Sequence, residues 1–490
     1  MKKIKYIPIV LAVLFASSCK KYLNINENPN NPTNVEPALV LSQVLNASAN
    51  NQFFNFSVGL NQWIGTTARS SAFAPNTAFE SFQITQGQFQ GAWTGAYHII
   101  YDLNFIESKS QASGQPYFEG LAKILKAYWY QSLVDMFNNV PYTEAANPTE
   151  IKTPKYDDAK TIYEDLIKKI DAAITLIKSS GSLSPADAAF DIMWHGDKTM
   201  WVKFANTLKL RILMRQSEMP GRAAYIQAEI AKIVAEGSGF LAEGQDALIN
   251  PGYVNTAGRQ SPIYSVYLTP TGTPAGGNFT RAHQFAIDLL KNTNDTRLDF
   301  IYQKPANGIH LGNVLGFAPN SNATTSTPGA AVYKTANSSF PFMLAFESLF
   351  FQSEAAQRGW LPGANAKNLY QRAITNSFTY LNVPNAAAAA TTFYTQGIAN
   401  VDWDASPDKL QAIAMQKYVA LIIINSFEGW TELRRTGYPK IIPASQSPVV
   451  TINQIPVRAL YPQVEYDVNS ENVLAQGTIS QFTSKIFWMK

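Results

Sequence analysis

The stretch that most constrains this chain is EGLAKILKAYWYQSLVDMFNNVPYTE, from Glu119 to Glu144. Leu121, Leu125, Trp129, Leu133 and Phe137 recur every four residues, with Ile124 and Tyr128 beside them. That spacing predicts an α-helix with one wide apolar stripe, which needs other elements to cover it. Asn138 and Asn139 weaken the helix. Pro141 lacks a backbone N–H and drives Val140 out of helical geometry, so the helix is expected to stop near there.

A length of 490 residues allows one large domain or two to three ordinary ones. Apolar residues make up 46% and charged ones 15%, which suits a packed core and excludes a disordered chain. The 23 Tyr and 28 Phe are more rings than the polar content leads one to expect. Most fill the core, and the remainder are free to stack on a ligand. The formal charge of +4 includes Lys2, Lys3 and Lys5; without these three it falls to about +1. No basic run interleaved with aromatics occurs, so nucleic acid is not an expected partner.

MKKIKYIPIVLAVLFASSC reads as a signal peptide over residues 1–18: lysines, a short apolar run from about Tyr6 to Ala16, then small residues. The run is well short of the roughly 20 residues that span a bilayer. Cys19, the only cysteine, follows Ala16-Ser17-Ser18 directly and resembles the lipobox cysteine of bacterial lipoproteins, although Ala16 stands where Leu is commonest. The resemblance implies that Cys19 is lipidated and becomes the N-terminus. One cysteine cannot form an intramolecular disulfide. Residues 19–37 are rich in Asn and Pro, which favour turns and extended backbone, and read as a tether from lipid to folded body.

Helical periodicity recurs over Glu36–Asn50, Gln83–Ser110, Asp157–Lys178, Lys198–Arg215, Arg222–Glu236, Phe346–Arg358, Asn365–Leu381 and Leu410–Arg435. Between them, residues 237–277 and 308–339 are loop-rich, dominated by Gly, Pro, Ser, Thr and Asn. Irregular stretches this long inside a compact chain are usually functional. No G-x-x-x-x-G-K-[ST] or G-x-G-x-x-G occurs in them, so they are not phosphate cradles. Ile455–Glu465 and the end of the chain read as short strands.

Several wordings are more specific than periodicity. K-A-Y-W-Y-x-x-L-V-x-x-F followed by N-V-P-Y-T-E-A, W-x-K-F-A-N-x-L-K-L-R from Trp201, E-A-A-x-R-G-W from Glu354 and F-E-G-W-T-E-L-R-R-T-G-Y-P from Phe427 stand in order along the chain. N-D-T-R-L at Asn294 and I-P-V-R-A-L-Y-P at Ile455 add to them. Together they resemble the SusD/RagB family of outer-membrane nutrient-binding lipoproteins, closest to its SusD-like branch. The resemblance implies a mainly α fold: a tetratricopeptide-like scaffold of stacked helix pairs with long irregular loops and a few short strands, as one domain over 38–490. It also implies a lipid-anchored protein facing the cell exterior, partnered with a TonB-dependent, SusC-like transporter, and no cofactor. The ligand it implies is a glycan or a peptide.

An enzyme is the rival class, specifically a secreted glycan-processing enzyme with a helical domain. His98, His195, His283 and His310 lie far apart with no metal-ligand spacing. No G-x-S-x-G elbow occurs. Asp402 and Asp404 flank Trp403, but sequence proximity does not set the carboxyl separation that glycoside hydrolysis needs. Glu428, Arg434 and Arg435 read as paired charges tying helices together. The expectation is a binding protein, not an enzyme; a purely structural lipoprotein is the third option. Sugars need exposed rings and polar groups, and loops on a rigid scaffold supply both. Two stretches fit: Trp63 to Phe73 with Arg69 between, and Tyr253 to Tyr267 with Arg259 and Tyr264. Their rings could equally pin the loops to the helices.

Overall fold

The computed structural model describes residues 35–490 apart from Asn76, Pro148 and Thr149. The leader, Cys19 and nearly all of the tether lie outside the described residues. The longer helices are α1 (Pro37–Asn50), α2 (Gln90–Ser113), α3 (Pro116–Phe137), α4 (Ala159–Ser179), α5 (Lys198–Arg215), α6 (Ala223–Glu236), α7 (Ala345–Gln357), α8 (Ala366–Tyr380), α9 (Lys409–Leu421) and α10 (Ser426–Thr436). Neighbours in sequence pack as neighbours in space: α2 on α3, α3 on α4, α5 on α6, α7 on α8 and α9 on α10. The fold is mainly α, built from helix pairs, with short strands between them.

The helix ends follow from local chemistry. Asp158, Asp197, Asn365, Asp408 and Asn425 each accept a backbone N–H from the first turn of the helix they precede. Pro116 opens α3, where its missing N–H costs nothing. Asn138, at φ 69°, ends it. Val140–Pro141 then pairs with Tyr156–Asp157 as a two-residue antiparallel ladder, β2 and β3 in chain order after β1 (Thr67–Arg69).

Helix α3 is more deeply placed than a single stripe predicts. From Leu121 to Phe137 only Lys123 and Lys126 are not buried. Both reach Glu107 of α2. A helix buried all round is one enclosed by other elements. Here α2, α4 and α5 enclose it, and the C-terminal segment closes its end through Ala459 N–H to the Met136 carbonyl at 3.0 Å. Trp129 anchors the centre, with Nε1 donating to Ser48 Oγ of α1 at 3.0 Å.

Three expectations are corrected. The helix read over Glu36–Asn50 does not stop at Asn50; it widens into a π-helical stretch, Asn51–Ser57. Asn51 and Asn55 on that stretch press against α2 where Gly95 and Gly91 leave room, and a Cβ on Gly95 would sit 2.3 Å from Asn51 Oδ1. The helix read over 410–435 is broken at Ile422–Asn425, with Ile423 at φ 65°, because the Asn425 cap starts a new helix in a new direction. The segment from Ile455 is not strand. Single hydrogen bonds such as Val457 N–H to the Gln481 carbonyl (2.7 Å) hold it extended, and short helices Gln463–Val468 and Ser470–Leu474 follow.

The loop-rich stretches are tied down by antiparallel ladders between distant segments. β4 (Ala247–Ile249) pairs with β8 (Phe340–Met343), closing the whole insertion at its base. Inside it, β5 (Thr280–Ala282) pairs with β1, and β6 (Tyr302–Gln303) with β7 (Thr327–Pro328).

Candidate functional site

The most charged motif of the chain is structural. Arg215 of α5 meets Asp135 of α3 and Glu428 and Glu432 of α10, all buried. Lys417 reaches Glu428 at 2.7 Å, and Arg435 joins Glu354 and Glu432, each at 2.6 Å. Arg434 donates to the Asp135 and Val457 carbonyls at 2.8 and 2.9 Å. Burial alone would raise the Glu428 carboxyl, but Arg215 and Lys417 hold it well below the usual carboxylate range. Burial opposes Arg435 in the same way at Glu354, which is drawn down to about 2. These charges join α3, α5, α7, α9 and α10, as the sequence suggested.

The first candidate stretch is largely interior. Trp63 is 0% exposed. Its ring stacks on Phe79 at 4.6 Å, its Nε1 donates to the Phe79 carbonyl at 3.2 Å, and Phe82, Phe89 and Trp430 surround it. A ring with no accessible face cannot stack on a sugar, so Trp63 is a packing anchor. Arg69 is also buried, with Nε 2.8 Å from Glu80 Oε1 and Nη1 on the Ser70 and Phe73 carbonyls. It shapes the turn and has no free face for a ligand. Phe73 is half-exposed and meets Phe279 edge-on at 5.2 Å.

That last contact shows what the fold does with the two stretches. The β1–β5 ladder sets Ala68 opposite Arg281, and Ser70 N–H donates to the Phe279 carbonyl at 2.7 Å. The ladder thereby ties the end of the first stretch to the insertion that holds the second. Tyr264 and Tyr267, on the short helix Pro262–Tyr267, are mostly buried and flank Tyr333 at 5.9 and 6.1 Å between ring centres. Tyr253 is buried, and its hydroxyl has no partner among the described residues. Arg259 is exposed at a loop tip, where Val254 N–H donates to its carbonyl at 2.9 Å.

Tyr267 and Tyr333 line a cavity of about 90 Å³ with Asn278, Thr280, Gln303 and Thr327. Gln303 and Tyr333 continue into an open depression with Asp299 and Lys304. The face therefore offers ring edges and faces among amide and hydroxyl groups, the chemistry that receives a sugar. Tyr333, Asn278 and Gln303 were not singled out in the sequence. Nothing local marks them, since only the β5 and β6–β7 ladders carry them to Tyr267.

A second concavity went unforeseen. Trp93, Tyr97, His98 and Tyr101 of α2, with Ile151, Lys152, Val464 and Val468, line a groove of about 540 Å³. Tyr101 is 51% exposed and Val468 60%. Glu465 in its wall is committed: it accepts from Trp93 Nε1 at 3.2 Å, Tyr156 Oη at 2.8 Å and Asn469 Nδ2 at 3.1 Å.

The residues weighed for catalysis have other work. Asp402 accepts the Gly397 and Asp404 N–H groups at 3.1 and 2.9 Å, which shapes its own loop. Asp404 pairs with Lys367. His283 caps the helix Gln284–Asn292, and burial lowers it to about 4. His310 sits between Asp299 (2.7 Å) and Ser326 (3.0 Å). Among the described residues, no group of three His, Cys, Asp or Glu is placed to hold a metal ion, and no helix is long and apolar enough to cross a membrane.

Solved structures share this architecture. A SusD-like protein from Bacteroides thetaiotaomicron superposes with a TM-score of 0.76 at 24% identity, covering 92% of this chain and 98% of the other. A SusD homologue from Bacteroides fragilis gives 0.74 at 20%, covering 93% and 100%. A chitin-binding SusD homologue from Flavobacterium johnsoniae gives 0.75 at 22%, covering 91% and 98%. Comparison with curated proteins returned no match. The family model for SusD-like proteins, described as starch-binding and associating with the outer membrane, matches residues 29–462, and the chain belongs to this family of binding proteins.

Proposed function

We propose that this protein is a surface-exposed outer-membrane lipoprotein that captures an oligosaccharide and passes it to a TonB-dependent, SusC-like transporter. Its attachment is the lipid on Cys19. The observation that carries the ligand reading is the loop face on which Tyr267 and Tyr333 meet Asn278, Thr280 and Gln303 around one cavity, with Tyr264 beside Tyr333. Family membership supports a glycan, and a chitin-binding relative of the same fold supports it further. Arg259, exposed on the neighbouring loop, is a candidate contact at the rim. A peptide is the alternative ligand, since rings beside amide groups serve it equally.

The test is binding of a glycan panel, chitin and starch oligomers included, to wild type and Tyr333→Ala. Loss of binding with an unchanged melting temperature supports the loop face. The α2 groove is a second reading, favoured by its volume, which falls in the range of small-molecule sites. Tyr101→Ala discriminates: if it abolishes binding and Tyr333→Ala does not, the ligand lies in the groove. Release of reducing ends from any oligomer in the panel would overturn the binding-only reading.

A further inference from the structure

Among the described residues, Arg281 is the one buried arginine whose donors are left over. Arg69, Arg215, Arg297 and Arg435 each pair with a carboxylate. Arg211 gives Nε to Gln131 at 2.9 Å and lies over the Tyr128 ring, while Arg434 and Arg458 donate to backbone carbonyls. Arg281 is 0% exposed and has no ion pair among the described residues. Its Nη1 donates to Asn278 Oδ1 at 2.7 Å and to the Thr280 carbonyl at 2.8 Å. Its Nε and Nη2 are buried with no acceptor among the described residues.

An unpaired buried cation is costly, and the cost falls once an anion with matching geometry arrives. A guanidinium edge offering Nε and Nη2 side by side is the fork that takes a carboxylate through two parallel hydrogen bonds. The position of this fork is informative. Asn278 and Thr280, which hold its other edge, both line the cavity between Tyr267 and Tyr333. Asn278 has φ 68° and sits at the end of the short 3₁₀ turn Gly276–Asn278. Arg281 is fully buried, so part of this wall has to move for a carboxylate to reach the fork.

We infer that Arg281 receives a carboxylate carried by the ligand of the loop face, so that the preferred ligand is acidic. The inference rests on the loop face being the ligand site. Two sources share this chemistry, a uronic acid and the C-terminus of a peptide, and the experiment separates them.

The mature protein and its Arg281→Met variant are titrated calorimetrically with D-glucuronate against D-glucose, and with glycylglycine against glycylglycine amide. The expected result is that one charged probe binds wild type roughly tenfold or more tightly than its neutral counterpart, and that Arg281→Met loses the difference. Which pair shows it identifies the source. The unliganded Arg281→Met variant is expected to melt at or above the wild-type temperature, since it removes an unpaired charge and orphans no carboxylate. Equal binding of charged and neutral probes in both pairs, or a difference that survives in Arg281→Met, overturns the inference. If Arg281→Met does not fold, Arg281→Lys replaces it. Lysine keeps the charge without the fork, so the charged-over-neutral difference should shrink, and an undiminished difference overturns the inference equally. Tyr333→Ala with the neutral glycan panel tests the site itself and does not depend on Arg281.

Discussion

Nη1 of Arg215 lies 3.0 Å from Oε1 of Glu428, and both side chains are buried. These residues are 213 positions apart. One comes from the W-x-K-F-A-N-x-L-K-L-R helix and the other from the F-E-G-W-T-E-L-R-R helix. The pair explains why both motifs carry charges on otherwise apolar helices: the scaffold is locked where α5 and α10 meet α3.

Arg215→Met should therefore destabilise strongly. It leaves Asp135, Glu428 and Glu432 with fewer cationic partners, and breaking a buried pair from one side costs about 3–5 kcal/mol. Denaturant unfolding measures it. A loss under about 1 kcal/mol, the scale of an exposed pair, would mean that the cluster is not the lock described.

Glu347 supplies a pH signature. Burial pushes its carboxyl up to about 7, with the Glu428 charge adding to the effect, while it accepts the Leu344 N–H at 3.0 Å. Unfolded, a glutamate titrates near ~4.3. Between these values the folded state holds a proton that the unfolded state has released, so stability falls as pH rises through roughly 4.5 to 7. Glu354 and Glu428 act oppositely, and their contribution is lost as pH falls below the unfolded value toward 2. Glu347→Gln keeps an acceptor for Leu344 and cannot ionise. It should match wild type near pH 5 and melt higher at pH 8. An unchanged pH profile from 4.5 to 7.5 would show that Glu347 is not the group responsible.

Trp63 and Tyr333 should part company. Trp63→Ala opens a cavity among Phe79, Phe82, Phe89 and Trp430 and should cost about 3–5 kcal/mol, any loss of binding following the loss of fold. Tyr333→Ala should affect binding far more than melting. The comparison is a melting curve and a titration on each variant. A stable Trp63→Ala variant would contradict its burial.

Gly120 lets α3 pack tightly on α4. A Cβ there would lie 2.6 Å from Ile177 Cγ1 and 3.0 Å from the Ala173 carbonyl. Gly120→Ala should cost about 1–3 kcal/mol through overpacking, even though alanine is the better helix former by about 1 kcal/mol. A stabilised variant in urea unfolding would show that the helices separate freely.

Cys19→Ala should release the mature protein from membranes, because a multiply acylated cysteine holds through roughly 0.8 kcal/mol per buried CH₂. Fractionation in cells without the partner transporter is the measurement. Retention of the alanine variant in the outer membrane would place the anchor elsewhere.

The sequence by itself determined the elements that depend on local chemistry. Periodicity located α5 at Lys198–Arg215 to the residue, because the apolar period acts within a turn or two, and the Asp197 cap that fixes its start is equally local. Motif wording and order carried the family, and the charged helix at Glu428 was legible as structural because buried charges need partners. Tertiary structure decided exposure. Trp63 and Tyr101 are both aromatic residues without a local sign of burial, yet one is enclosed and the other open. Which rings face solvent depends on elements hundreds of residues away, such as Trp430 against Trp63. The same holds for the loop face: Tyr267, Asn278, Gln303 and Tyr333 share a cavity only because short ladders fold a long irregular insertion back on itself. Arg281 is the extreme case. Its significance lies in acceptors that are missing around it, and a missing partner is a property of the packed structure, not of any stretch of chain.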